Sequence, residues 1–172
     1  MNLQQLRASV RAPAPDGLRF EDLIALLHGW IRDARLADLV PIDVGDYRHL
    51  RDRPRVLLVT HAGHLAIERA PGEGFTLSFT RKRDEPGPAA GKLGEVQAIL
   101  RRAGTLLEGA TDLRFDWDAL RFASFSRLTA DTERAAAFAD AVAAFVGAPT
   151  DVLPSTGGPL EVAVRVREAA CA

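Results

Sequence analysis

The segment Asp43-Val44-Gly45-Asp46-Tyr47-Arg48-His49, followed by His61 and His64, is the most chemically loaded stretch of the chain. It holds three of the four histidines and the only tyrosine. Neutral imidazoles and carboxylates are what zinc, iron or manganese would take, and histidine is the usual general base near pH 7. Asp43, Asp46, Tyr47, His49, His61 and His64 therefore form the candidate ligand-binding set, with no metal and no cofactor expected. His61 and His64 span a turn at Ala62-Gly63, where a three-residue spacing does not define a ligand pair as it would on a helix. The plainer reading has Asp43 and Asp46 bonding local backbone amides, with the histidines as partly exposed strand-end residues. Only a register in which residues 41–47 run beside Val56–Thr60 would bring Asp46 towards either histidine. His61 and His64 are expected near each other without ligating a metal.

Other motifs carry less. Gly87-Pro88-Ala89-Ala90-Gly91-Lys92-Leu93 brushes against a phosphate-binding loop but has three residues between its glycines and Leu93 where Ser or Thr should hold magnesium. It reads as a Pro/Gly linker before a helix. His28 lies beside an apolar helical stripe, next to Trp30, as a boundary residue. Arg48, Arg51, Arg53 and Arg55, with Arg81-Lys82-Arg83, would make a basic patch if the intervening strands bring them together. The interleaved Asp46, Asp52, Asp84 and Glu85 favour a self-compensating surface instead, so nucleic-acid binding is not expected. Ser124 and Ser126 lie in no Gly-x-Ser-x-Gly elbow, which leaves a serine hydrolase without support.

The elements that must position these residues follow from periodicity. Residues 1–17, with Ala12-Pro13-Ala14-Pro15-Asp16-Gly17, read as a mobile lead-in to a single domain over 18–172. Phe20, Leu23, Ile24, Leu27, Trp30 and Ile31 mark one face of a helix over about Leu18 to Leu39, stopped by Pro41. Arg55–Thr60, His64–Arg69 and Phe75–Thr80 read as three antiparallel strands, with turns at Ala62-Gly63 and Pro71-Gly72. Leu93, Val96, Leu100, Ala103 and Leu107 mark a second helix, weakened by Gly94 and Gly104 at about 1 kcal/mol each relative to alanine. Leu113–Trp117 and Leu120–Phe125 read as a hairpin. Thr129 or Asp131 caps a third helix carrying Phe138, Ala141, Val142, Phe145 and Val146, ended by Gly147 and Pro149. Asp151–Pro159 reads as a loop, and Leu160–Arg167 as a strand. The order α-β-β-β-α-β-β-α-β predicts an α+β fold, a largely antiparallel sheet with about three helices on one face. Leu23, Leu27, Trp30, Ile31, Phe138, Val142 and Phe145 should meet Leu77, Phe79, Phe122, Val162 and Val164 across that interface.

Composition narrows the function classes. The chain has 172 residues, 47% of them apolar and 26% charged, and a net charge of −1. Those are ordinary globular values, without the basic excess of a general nucleic-acid binder. The single cysteine, Cys171, excludes an intrachain disulfide and any multi-cysteine metal site. No stretch has the apolar length of a membrane span, and Met1–Arg7 lacks the apolar core of a secretory signal. Arginine supplies 20 of the 22 basic residues, and with abundant Ala, Gly and Pro this bias suggests a high-GC bacterial genome. A cytoplasmic bacterial protein is the expectation.

Ile42-Asp43-Val44-Gly45-Asp46-Tyr47-Arg48-His49, then Pro54 and Val56–His61, resembles a family of small uncharacterised bacterial proteins with an Ile-Asp-Val-x-Asp-Tyr-x-His stretch before a strand ending in Gly-His. The likeness runs on through Phe75–Arg83 to Arg127-Leu128 and departs at Thr60, where the family has glycine, and at Ser126, where it has an acidic residue. It implies a shared fold and no chemistry. With no catalytic motif, the leading expectation is a non-enzymatic interaction or assembly protein, as a homodimer or with a protein partner. The alternative is a metal- or small-ligand-using enzyme with its site at the Asp43–His64 cluster. A one-layer sheet leaves an open face and edge strands to be covered, which favours the first.

Overall fold

The computed structural model describes residues 5–51, 55–70, 74–83, 86–125, 132–153 and 161–166. Along the chain lie β1 (Gln5–Pro13), α1 (Phe20–Arg32), a 3-10 turn at Ala37–Leu39, β2 (Pro41–Tyr47), β3 (Arg55–Thr60), β4 (Gly63–Ala70), β5 (Gly74–Arg81), α2 (Ala89–Ala110), β6 (Arg121–Phe125), α3 (Thr132–Val146), β7 (Thr150–Leu153) and β8 (Glu161–Val166). The strands form one sheet of order β2-β3-β4-β5-β1-β6-β8-β7, antiparallel at every junction. The fold is α+β, as the sequence pattern predicts.

Helices cover one face of the sheet in the same left-to-right order as the strands beneath them. Helix α1 packs on β2 and β3, α2 on β5 and β1, and α3 on β8 and β7 while also touching α2. Between the layers lie Leu23, Leu27 and Trp30 of α1, Leu93, Val96, Leu100, Ala103 and Leu107 of α2, and Phe138 and Val142 of α3. Leu77, Phe79 and Phe122 meet them from the sheet, all fully buried; Ile31 and Phe145 are only partly buried. The side chains of Val162 and Val164 fall outside the described residues, though their backbones pair with Ser124 and Phe122.

Several expectations need correcting. The lead-in is in fact a central strand. In β1, Leu6, Ala8, Val10 and Ala12 alternate into the core, and β1 sits between β5 and β6. Pro13 is tolerated because it closes the ladder, opposite Gly74. Residues 41–47, to which the pattern assigns no element, form the edge strand β2, antiparallel to β3. Helix α1 stops at Arg32, well before Pro41, in a Schellman turn. There Arg35 N–H donates to Trp30 O (3.0 Å), Ala34 N–H to Ile31 O (3.3 Å), and Ala34 takes a left-handed φ of 52°. The 113–125 hairpin does not form. Residues 111–120 are irregular, and Leu113, Phe115 and Leu120 are buried from within that irregular segment. Part of the expected 151–159 loop is β7, while the proposed caps Thr129 and Asp131 and the Pro71-Gly72 turn lie outside the described residues.

Candidate functional site

The register of β2 against β3 decides where the candidate residues go. Pro41 pairs with Thr60 and Asp46 with Val56, so the Asp46 end of β2 is at the far end of β3 from His61. His61 donates its backbone N–H to Leu39 O and Val40 O, at 3.2 and 3.1 Å. Asp46, Tyr47 and His49 stay together at the other end, the Tyr47 and His49 rings 6.3 Å apart. His64 opens β4 opposite Val59 and Thr80. Among the described residues, no group of three or more His, Cys, Asp or Glu is placed to hold a metal ion.

The carboxylates have local work. Asp43 Oδ1 accepts the backbone N–H of Val44 (2.8 Å), and Asp46 Oδ1 accepts that of Arg48 (3.1 Å). These amides lie along the outer edge of the sheet, where an unpaired N–H would otherwise invite another strand. A bulge between Pro41 and Asp43 further breaks the edge. Asp46 also takes the Arg48 guanidinium (Nε at 2.9 Å, Nη2 at 2.8 Å), and Arg48 reaches on to Glu21 of α1. The Arg48 side chain, then its backbone N–H, pulls the Asp46 pKa down to about 2. The segment thus blunts an edge strand and ties it to α1.

The anticipated basic patch is partly neutralised: Arg51 and Arg83 are exposed, while the other described members have partners. Arg48 is paired as above, Arg55 meets Glu68 (3.4 Å), Arg81 meets Glu95 (3.1 Å), and Lys82 Nζ donates to Thr60 O (2.7 Å). Thr60 is fully buried, its Oγ1 donating to Gly63 O and accepting Gly63 N–H. That pair shapes the tight turn. A Cβ on Gly63 would sit 2.3 Å from Thr80 O. His28 is exposed.

A different surface emerges from the topology. On the sheet face opposite the helices, pairing aligns Gly45, Leu57, Ala66, Ser78, Ser9, Arg121, Arg165 and Asp151 in one row across the strands. Small side chains fill its middle, with Ala66 and Ser78 only 7% and 3% exposed. Arg55, Glu68, Thr76 and Arg11 flank the row on one side; Val59, His64, Thr80 and Arg7 flank it on the other. The result is a shallow trough, closed at its β2 end by the Tyr47 ring lying over Gly45, where a Cβ would meet Tyr47 Cε2 at 2.8 Å. Among the described residues no helix or strand lies on this face.

Three buried nitrogens here have no hydrogen-bond partner: Arg55 Nε, His64 Nδ1 and Arg121 Nε. Desolvation lowers the His64 pKa, helped by the charges of Lys82 and Arg55. Desolvation also lowers that of Arg121, helped by Arg11 and Arg165. The sequence pattern anticipates an open sheet face but not this arginine cluster, because Arg11, Arg121 and Arg165 come from three distant segments. Only the β1-β6-β8 pairing gathers them. No family model, curated protein or solved structure matches the chain.

Proposed function

We propose that this is a non-enzymatic interaction protein of the bacterial cytoplasm, and that its partner docks on the helix-free face of the sheet. The observation carrying the proposal is a single one. An eight-stranded sheet has its helices on one face, while the other bears a trough of small and hydroxyl side chains lined by buried nitrogens without acceptors. The guanidinium groups of Arg11 and Arg121 on this face have no ion-pair partner among the described residues, so a partner supplying carboxylate or carbonyl acceptors is favoured. The trough is shallow and open, which suits a macromolecule better than a small substrate. A cleft of about 450 Å³ lies elsewhere, between Pro15–Leu18 and Ala110–Asp112, and shares no residue with the trough.

Edge-to-edge assembly through β2 is the weaker form of the reading, because Asp43 occupies the Val44 amide and Asp46 that of Arg48 just past the strand. The resemblance around Ile42–His49 suggests relatives of the same fold and brings no activity. The enzyme alternative would need Asp46 and His61 to converge, and they lie at opposite ends of β3.

Photo-crosslinking tests the proposal. A benzophenone side chain would replace Ser9 or Thr76 in the trough, or the exposed Asp140 on α3 as control, in cells of the source organism. A discrete adduct from Ser9 and Thr76, absent from Asp140, is expected. No adduct from either trough position, or equal labelling from Asp140, would overturn the reading.

A further inference from the structure

On the β1-β6-β8 part of the trough, Arg121 stands directly opposite Arg165 and Arg11 stands diagonally across from Arg121. Like charges directly opposite one another on a sheet are destabilising. Arg165 has Asp151 at 3.9 Å. Neither Arg11 nor Arg121 forms an ion pair among the described residues, and Arg121 Nε is buried without an acceptor. Over the whole face, the described side chains number five arginines (Arg7, Arg11, Arg55, Arg121, Arg165) against three carboxylates (Asp43, Glu68, Asp151). The surplus falls at Arg11 and Arg121.

This distribution selects the occupant. A second copy docked with its β1-β6-β8 region on that of the first would bring arginines towards arginines, so this part of the face does not complement itself. A single-stranded nucleic acid would stack its bases on aromatic rings along the groove, and the middle of the trough is Ala66, Ser78 and Ser9, with Tyr47 and Phe125 only at its margins. An acidic polypeptide meets both conditions. Its backbone fits against small and hydroxyl side chains, and its carboxylates match the planar fork of each guanidinium.

Resting on the docking face proposed above, we infer that the partner is a protein presenting an Asp/Glu-rich extended segment, which lies along the trough and places carboxylates between Arg11, Arg121 and Arg165. From β2 to β1 the trough crosses four strand spacings, about 19 Å, and it runs on two more to Arg165. An extended segment of about eight residues spans that distance.

The test is fluorescence anisotropy with a labelled oligoglutamate of about 12 residues, with oligo-dT of equal length and pyrophosphate as separate probes. The native chain should bind oligoglutamate, with affinity falling about tenfold or more between about 0.05 and 0.3 M salt as the charges are screened. The R11E/R121E variant should lose it, while R11K/R121K keeps a weakened form because lysine lacks the bidentate fork. Thermal melts accompany each variant; if R11E/R121E does not fold, R11Q/R121Q takes its place with the same loss expected. No binding of oligoglutamate at low salt, undiminished binding by the reversed variant, or tighter binding of oligo-dT or pyrophosphate would overturn the inference. So would a trough crosslink of twice the chain's mass. Failure of these arms with a trough-specific crosslink intact removes the acidic chemistry and leaves the docking face; loss of the crosslink removes both.

Discussion

Two glycines inside the same helix should respond to alanine with opposite signs. Helix α2 contains Gly94 and Gly104, and propensity alone says that either replacement stabilises by about 1 kcal/mol. At Gly94 the new Cβ would meet Phe145 Cε2 at 3.5 Å, an ordinary contact, so G94A should stabilise by about 0.5–1 kcal/mol. At Gly104 it would lie 2.4 Å from Trp117 Cζ2 and 2.5 Å from Cη2, so the indole must shift by about 1 Å or more. That ring is held by a hydrogen bond from its Nε1 to Glu108 Oε1 (3.3 Å), by Phe115 with centroids 5.7 Å apart, and by the Arg101 guanidinium over its face. Overpacking of this kind costs about 1–3 kcal/mol. Set against the propensity gain, G104A should destabilise by about 1 kcal/mol, lowering the melting temperature by about 2–4 °C in a chain of this size. Urea titration of G94A, G104A, W117A and G104A/W117A measures each term. In the W117A background the clash is gone, so G104A should become stabilising. A G104A chain as stable as G94A, with Trp117 present, would refute the reasoning.

Truncating Trp30 or Phe138 to alanine should cost about 3–5 kcal/mol, since both are buried between helix and sheet; a loss below about 1 kcal/mol in urea titration would contradict this packing. The Asp46 pKa is held at about 2, below its unfolded value, so its contribution to stability is full above about pH 4 and is lost as the pH falls towards 2. D46N should therefore flatten that part of the stability profile in thermal melts between about pH 5 and 2, and an acid limb equal to the native one would count against the Asp46–Arg48 tether. Deleting residues through Pro13 removes a strand paired on both sides, and deletion from Pro159 onward removes β8 from between β6 and β7. Neither truncation should melt cooperatively by circular dichroism, and a soluble, cooperative product of either would show that strand to be dispensable.

Elements whose apolar period is strong were legible without coordinates. Leu23, Leu27 and Trp30 in α1, Leu93 to Leu107 in α2, and the β3-β4-β5 meander follow from local side-chain spacing. Each buries the face its own pattern defines. The local amide bonding of Asp43 and Asp46 was also legible, because short carboxylates reach neighbouring amides whatever the rest of the chain does. Strand β1 was not, since Ala8, Ala12 and Pro13 give a weak signal and its burial is imposed by β5 and β6. The alternation of Leu113 to Trp117 was legible and misleading, because a loop packed under neighbouring elements shows the same period as a strand.

The amino-acid order by itself determined the α+β class, most helices, the meander and the separation of an apolar from a polar face in each, because these depend on residues within a turn or two of one another. The strand order, the wide separation of Asp46 from His61, the need for Gly104 beneath Trp117, and the gathering of Arg11, Arg121 and Arg165 were decided by the tertiary structure alone. Each depends on how separate elements pair and pack, which brings side chains together or holds them apart without leaving any periodic trace in the chain.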